Sequence, residues 1–458
     1  MENKSFKVEK SKELFDRAWN TIAGGVNSIA RGPHGGVIPG THPLYFEKGI
    51  GSHIWDVDGN EYIDYLIGQG TLLLGYSYPA VNEAIIEQMN KVQHTGMSNE
   101  LEIKVAEKMV NHMPCAELVM MSNTGTEVCT FATRIARAQT GKMKMIKFEG
   151  VYNGWTDMWM VDTLYDPVGV RAPKGGLEHA PLNGVIEPGV PQNVMENMVV
   201  LPWNNIQVLE TYIERNHHQV AGVILEASGV GGVIMPKKGY LEAVRKLTEQ
   251  YGILLIVDEV KTGYRLALGG AQEYFNIKGD IATVAKAMAN GWPTAAICGK
   301  KEYLGPIIDY RMEHNGTLNG HPVVMAACLA NLTELEKPET YDHLYNVTGK
   351  LTSGWKDTIQ DLDIEMQLLG PGANSERPAP MWNYVFTNKR EINSARDMKE
   401  IPAHPHSKRK EKFVLELVKR GIHNTDHPWA LTRSHTEEDI NKTLEAIRDV
   451  LKLTKSIT

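Results

Sequence analysis

The chain has little cysteine and no long apolar run. Cys115, Cys129, Cys298 and Cys328 are scattered over 458 residues with no Cys-x-x-Cys spacing, which argues against a zinc site or a disulfide framework and fits a reducing cytoplasm. No apolar stretch approaches the roughly 20 residues of a membrane span, and Met-Glu-Asn-Lys-Ser-Phe-Lys at the start has no apolar signal core. A soluble, unexported, cytoplasmic protein without a membrane partner is expected. Basic excess is missing as well: 48 Lys and Arg face 55 Asp and Glu, a net charge of -7, so no general attraction to nucleic acid follows. There is no Gly-x-Ser-x-Gly elbow, Walker A loop or dinucleotide fingerprint, and Gly49-Ile50-Gly51 is too short for the last. His217-His218 and His404-Pro-His406 lack Cys or acids at ligand spacing, so no metal is expected. The cluster Lys408-Arg409-Lys410 reads as a solvated helix start, and no internal repeat is found.

What is present is a chain long enough for a large core, 42% hydrophobic, with a large domain and a smaller one expected. Short β-rich runs at 116–121, 143–148, 221–226 and 252–257 alternate with helical patterns such as 239–251, which predicts an α/β fold with a mostly parallel sheet flanked by helices. Ligands of such sheets bind at the carboxyl ends of strands, where Glu226 and Asp258 fall. Residues 161–204, with Pro167, Pro173, Pro181, Pro188 and Pro191, read as a long loop of functional kind, and 369–410 as a polar, proline-rich stretch containing a variable loop. Thr436-x-x-Asp439 opens a closing amphipathic helix.

Two residues stand out. Asp258 lies in Gly252-Ile-Leu-Leu-Ile-Val-Asp-Glu-Val-Lys-Thr-Gly-Tyr-Arg265, and Lys286 in Ile281-Ala-Thr-Val-Ala-Lys-Ala-Met-Ala, among small and apolar neighbours. Lost hydration there lowers a lysine's pKa and favours the neutral, nucleophilic amine. Such an amine can form a Schiff base with an aldehyde, and a strand-end carboxylate can keep a pyridine nitrogen protonated. Together they suggest pyridoxal 5'-phosphate (PLP). Taken singly, each has a plainer reading, a loop-capping acid and a solvated lysine. A second constellation supports the pair: Ser122-Asn-Thr-Gly-Thr-Glu127 follows a strand and opens a helical pattern, so free N–H groups and the helix dipole point where a phosphate can sit. Gly125 allows close approach and the Thr124 and Thr126 hydroxyls can donate; an ordinary N-cap is the alternative.

The run Asp258 to Arg265, with Lys286 at the right distance, resembles the class III aminotransferases of PLP fold type I, in particular the glutamate-1-semialdehyde aminomutase branch. Gly24-Gly-Val-Asn-Ser-Ile-Ala-Arg31 is similar to the aminomutase segment with a carboxylate-binding arginine, Trp55 to Asn60 to the family's hairpin, and Ser122 to Glu127 to its phosphate loop with Thr124 in the serine position. The resemblance implies residues 66–325 as the large PLP-binding domain, with 1–65 and 326–458 forming a smaller α/β domain. It implies Lys286 as anchor and proton carrier, Asp258 at the ring nitrogen, Tyr152 stacked on the ring and Val260 on its other face. Glu226 is an orienter in it and Arg31 grips a substrate carboxylate. Gly316-Thr-Leu-Asn-Gly-His-Pro322 resembles the segment whose threonine, here Thr317, reaches the phosphate of the neighbouring subunit, which implies a homodimer with shared sites.

The chain also departs from the family. Asn153 replaces the histidine of Tyr-His-Gly, Ala227 replaces the proline of Glu-Pro, and Gly75-Tyr-Ser-Tyr-Pro79 replaces Gly-His-x-His-Pro. The aminomutase's glycine-rich stretch after the lysine is here Ala287 to Trp292, and Tyr76, Trp155 and Trp292 suggest a more aromatic pocket, though each also reads as core. The expected reaction is therefore transamination between a carboxylated amine and a keto acid or aldehyde, with intramolecular aminomutation or amino-acid racemisation as alternatives. A nucleotide-dependent oxidoreductase would suit an α/β chain but requires a fingerprint this sequence lacks.

Overall fold

The apolar runs in the middle of the chain become strands buried on both faces. The computed structural model describes residues 6–161, 188–229, 231, 233–389, 391–399, 401, 408–425 and 427–457. Near the N-terminus, β1 (Phe46–Ile50), β2 (His53–Asp56) and β3 (Glu61–Asp64) form an antiparallel meander. Then β4 (Leu118–Ser122), β5 (Lys144–Phe148), β6 (Met198–Leu201), β7 (Val220–Leu225), β8 (Leu254–Glu259), β9 (Ile281–Val284) and β10 (Ala295–Gly299) build a seven-stranded sheet in the order β4-β10-β9-β8-β7-β5-β6. β10 runs antiparallel to both its neighbours, and every other pairing is parallel. Because β10 reverses twice, β4 points the same way as β9.

β7 and β8 are buried along their whole length, as expected for interior parallel strands covered on both faces. Within β7, Gly222 is required by packing: a Cβ there would lie 2.9 Å from Met145 Cε and 3.1 Å from the Leu254 carbonyl. The strands read at 116–121, 143–148, 221–226 and 252–257 form within two residues of their expected bounds, and the helix Tyr240–Gln250 precedes β8. The helix Gly125–Thr140 is stopped by Gly141 at φ 69°, a left-handed cap that glycine adopts without penalty.

Farther on, β11 (Gln367–Leu369) and β12 (Met381–Val385) pair antiparallel, β13 (Ile422–His423) joins β3 in parallel, and β14 (Trp429–Ala430) pairs with β12. Ile422 opposite Ile63 thus ties the C-terminal part of the chain to the N-terminal meander. Trp355, Trp382, Trp429 and Phe413 are fully buried beside these strands, with Trp355 and Trp429 4.8 Å apart. The closing helix is Glu437–Thr454, and Thr436 and Asp439 form the capping box at its start. No helix among the described residues is long and apolar enough to cross a membrane.

Three expectations need correction. The stretch 161–204 is not loop throughout: Met198-Val-Val-Leu201 is a fully buried strand, too short to stand out beside the prolines but completed by β5. Residues 369–410 contain the fully buried β12 and the helix Ala395–Lys399. A helix does start at Lys408, but its basic residues are not all solvated. Lys410 is buried, and Arg409 lies over the Phe386 ring at 4.7 Å, where cation–π attraction replaces hydration. Residues 162–187 and the stretch from His404 to His406 lie outside the described residues.

Candidate active site

Five strands of the large sheet that point the same way deliver the expected site residues at their carboxyl ends. β4 leads to Thr124, Gly125 and Thr126, β5 to Tyr152 and Asn153, β7 to Glu226, β8 carries Asp258 and leads to Val260, and β9 leads to Lys286. Residues 286 and 124 are far apart in sequence and come onto one edge only because of strand order.

Asp258 is buried, and among the described residues its carboxylate accepts only from neutral donors. Oδ1 receives the Val260 N–H at 2.9 Å and the Thr283 hydroxyl at 3.2 Å; Oδ2 receives Asn153 Nδ2 at 2.6 Å and the Cys129 thiol at 3.4 Å. Burial and the neighbouring carboxylate push the Cys129 thiol well up, so it stays a donor. Asn153 is thus the residue whose departure from the family pattern has a visible role, and sequence reading left that role open. Thr283 faces Asp258 because β8 and β9 pair in register. No local signal marks it or Cys129.

Lys286 opens a 3-10 turn, Lys286–Ala289, with φ at 49°, a left-handed conformation that costs a non-glycine residue about 1–3 kcal/mol. The turn is overdetermined from below. Asn290 accepts from the Leu73 and Leu74 N–H groups at 3.0 Å and donates to the Gly75 carbonyl at 3.0 Å, while Asn331 donates to the carbonyls of Ala287 and Met288 at 2.9 Å. Burial pulls the Lys286 ammonium below the ordinary lysine range, against the attraction of Asp258 and Glu226. A rigidly held, partly desolvated amine is a nucleophile and a proton carrier.

At the helix start, Thr124 is an N-cap: its hydroxyl accepts from the Glu127 N–H at 3.2 Å, and Glu127 in turn accepts from the N–H groups of Asn123 and Thr124 at 2.9 and 2.8 Å. Burial pushes the Glu127 carboxyl up, but these hydrogen bonds outweigh it and hold the group low. The N-cap and anion-site readings coexist, since the N–H groups of Gly125 and Thr126 have no partner among the described residues, while the Thr124 side chain also bonds the Glu127 carboxylate. A Cβ on Gly125 would lie 2.8 Å from Val260 Cγ1, so this turn and Val260 close on one another. Gly154 packs equally closely on Thr126 and sets the loop of Tyr152 over the helix start. Tyr152 itself is half exposed.

Glu226 is 5% exposed, burial pushes its carboxyl up, and its Oε2 has no hydrogen-bond partner among the described residues. Two expected residues share no such contacts. Arg31 is exposed on the turn Ile29–Arg31, and its guanidinium has no hydrogen bond or ion pair among the described residues. Thr317 is exposed, but its turn is tied to the anion site by Asn123 Nδ2, which donates to Asn319 Oδ1 at 2.8 Å. Of the three aromatic residues that set the chain apart, Trp155 is 71% exposed and Trp292 38%, and the Tyr76 hydroxyl donates to Asp64 at 2.6 Å. Neither tryptophan is core.

These residues fit pyridoxal phosphate. A buried acid with neutral donors suits a protonated ring nitrogen, the unpartnered N–H groups of Gly125 and Thr126 at a helix start suit a phosphate, and the buried Glu226 Oε2 has no hydrogen-bond partner among the described residues. The family model for Aminotransferase class-III matches residues 38–372. The glutamate-1-semialdehyde 2,1-aminomutase of Methanocaldococcus jannaschii is 34% identical over 98% of this chain and 99% of its own. Among solved structures, an omega-transaminase from Sphaerobacter thermophilus superposes with a TM-score of 0.85 at 26% identity, covering 97% of each chain. A transaminase with PLP bound does so at 0.83 and 24% identity, covering 98% of this chain and 99% of its own.

Proposed function

The chain belongs to the class III aminotransferases, PLP-dependent enzymes acting on small amines and carbonyl compounds, and from that premise we propose that it moves an amino group between adjacent carbons of one carboxylated substrate, as a glutamate-1-semialdehyde 2,1-aminomutase does. What supports this reading over intermolecular transamination is that the aminomutase is 34% identical along the chain, whereas the two transaminases of known structure are 26% and 24% identical.

Pyridoxal phosphate supplies an aldehyde that condenses with amines and a ring that takes up electron density when its nitrogen is protonated. Asp258 holds that proton, oriented by Asn153, Thr283 and Cys129. Lys286 would be the anchoring amine and, when free, would hold and move a proton at the reacting carbons. The Gly125 and Thr126 N–H groups, with the Thr124 hydroxyl, hold the phosphate, and Tyr152 and Val260 take the two ring faces. Glu226 orients, and Arg31 pairs with the substrate carboxylate. Thr317 of each protomer reaches the phosphate held by the other in a homodimer. In this reading residues 66–325 carry the cofactor and 1–65 with 326–458 make the smaller domain.

Intermolecular transamination is the second reading, favoured by Asn153 and by the exposed Trp155 and Trp292, which reshape the site's rim. Incubation with glutamate-1-semialdehyde alone separates the two. Catalytic appearance of 5-amino-4-oxopentanoate is expected; product that forms only with a stoichiometric second amine, releasing a separate keto compound, establishes intermolecular transfer instead. Borohydride reduction and peptide mapping should label Lys286, and a label on Lys261 would remove the anchor assignment.

A further inference from the structure

Glu149 follows β5 directly and is 2% exposed, and its backbone N–H still donates to the Leu201 carbonyl at 3.0 Å. Past it the chain leaves the sheet: Gly150 has φ 72°, and residues 150–154 form no strand or helix. Tyr152 and Asn153 lie on this loop. Its far end packs at Gly154 on Thr126, and in between Asn153 Nδ2 reaches Asp258 at 2.6 Å. Its root is held by a residue 247 positions away: Arg396 Nε donates to Glu149 Oε2 at 2.9 Å and Nη2 to Oε1 at 2.6 Å. Among the described residues the Glu149 carboxylate accepts from no other side chain. Arg396 is itself fixed in the short helix Ala395–Lys399. Asp397 Oδ2 accepts from the Ser394 hydroxyl and the Asn393 N–H, each at 2.9 Å, and Lys389 Nζ lies 2.6 Å from Oδ1. Asn204, after β6, donates to the Asn393 carbonyl at 2.9 Å and accepts the Lys237 N–H at 2.8 Å. Ile392 and Met398 pack on the cluster that contains Phe148 and Val151.

An ion pair withdrawn from water returns little net stability, because desolvation offsets most of the attraction, but a two-pronged guanidinium–carboxylate contact fixes geometry. Stability alone therefore does not account for such a pair at the root of an irregular loop. Only Gly150, Val151 and Tyr152 separate Glu149 from Asn153, and Val151 is buried, so a shift at the root passes to the amide on Asp258. Asn153 Oδ1 is buried without a partner among the described residues, so the amide depends on where the loop backbone places it. Resting on Asp258 as the acid at the cofactor nitrogen, we propose that Arg396 is a positioning residue: through Glu149 it holds Asn153 on Asp258, so that the C-terminal part of the chain sets the orientation of that acid.

A double-mutant cycle on the holoenzyme tests this. Arg396→Met should lower kcat about tenfold with KM changed by about twofold or less, and Asn153→Ala should do likewise. In the Asn153→Ala background, Arg396→Met should cost only about twofold or less, because Arg396 acts by way of Asn153. Arg396→Lys keeps the charge and loses the fork; it should recover part of kcat, and it takes the place of Arg396→Met in the cycle if that variant does not fold. The second readout is the visible circular dichroism of the bound cofactor, whose size follows the asymmetry of the groups around the ring. It should weaken to a similar extent in Arg396→Met and Asn153→Ala, and no further in the double variant. Losses in kcat that multiply in the double variant overturn the proposal, as does a lowered urea midpoint with kcat and dichroism unmoved, which would make the Arg396–Glu149 pair a structural tie. An unchanged kcat in Asn153→Ala overturns it too. Absence of any visible band in the wild-type protein supplied with pyridoxal phosphate overturns the cofactor assignment itself; a normal band with multiplying losses overturns only the role of Arg396.

Discussion

The Asp258 carboxylate, proposed to face the ring nitrogen, accepts from four neutral donors and forms no ion pair among the described residues, so its charge is the feature to remove. Asp258→Asn keeps the shape and removes that charge. Turnover should fall about 10²-fold or more, with a much smaller loss of cofactor affinity, as kcat and a cofactor titration would show. Near-normal turnover would make Asp258 a strand-end cap. Arg31 offers the contrasting case, an exposed guanidinium with no partner among the described residues. If it takes a carboxylate bidentately, Arg31→Ala should weaken carboxylated substrates by about tenfold or more and leave simple amines little changed. Kinetics on a matched amine and amino acid decide this, and equal losses on both would make Arg31 structural.

At the scale of elements, the proposed anion site depends on two interlocking turns. The start of helix Gly125–Thr140 lies against Val260, and the loop at Gly154 lies against Thr126. A methyl at position 125 would meet Val260 Cγ1 at 2.8 Å, a short branched side chain with little room to swing. Gly125→Ala should therefore displace the turn at a cost of about 1–3 kcal/mol, read as cofactor affinity roughly tenfold weaker or more. The double variant Gly125→Ala, Val260→Ala should recover part of the loss. Failure to recover would mean that Gly125 serves another contact. The lysine turn is built on the same logic, with Asn290 and Asn331 clamping a backbone that Lys286 would not adopt unaided.

At the scale of the whole molecule, the N- and C-terminal parts of the chain meet around buried polar groups. His435 is fully buried, accepts the Thr432 N–H at 3.0 Å and packs 4.9 Å from the Tyr65 ring. Burial pushes its imidazole down to about 4, against the attraction of Asp439 and Asp64. In the unfolded chain it titrates near 6.5, so between these values the unfolded state binds the extra proton. Stability is complete above pH 6.5 and declines as pH falls toward 4, by up to about 3 kcal/mol from this residue. Urea midpoints should fall over that window, and less so in His435→Gln. His42 and His112, also lowered by burial, act in the same direction, so the difference between variant and wild type is the informative quantity. An identical pH slope in the two proteins would show that His435 is not neutral in the fold.

Some of this was determined by the sequence alone. The runs that became β4, β5, β7 and β8, the capped helix starts at Thr124 and Thr436, the strand-end acid and the lysine among small residues are each local patterns, written within a dozen residues. What gathered them was tertiary. The place of β10 between β4 and β9, the strand at 198–201 and the joining of β13 to β3 depend on pairing between distant segments. The donors on Asp258 are 105 and 129 residues away at Asn153 and Cys129, and Thr283 reaches it only through strand register. Likewise Glu149 and Arg396 are 247 residues apart in the chain. They meet only when the helix Ala395–Lys399 comes to lie at the end of β5, because electrostatics acts through space and a local sequence period does not carry it.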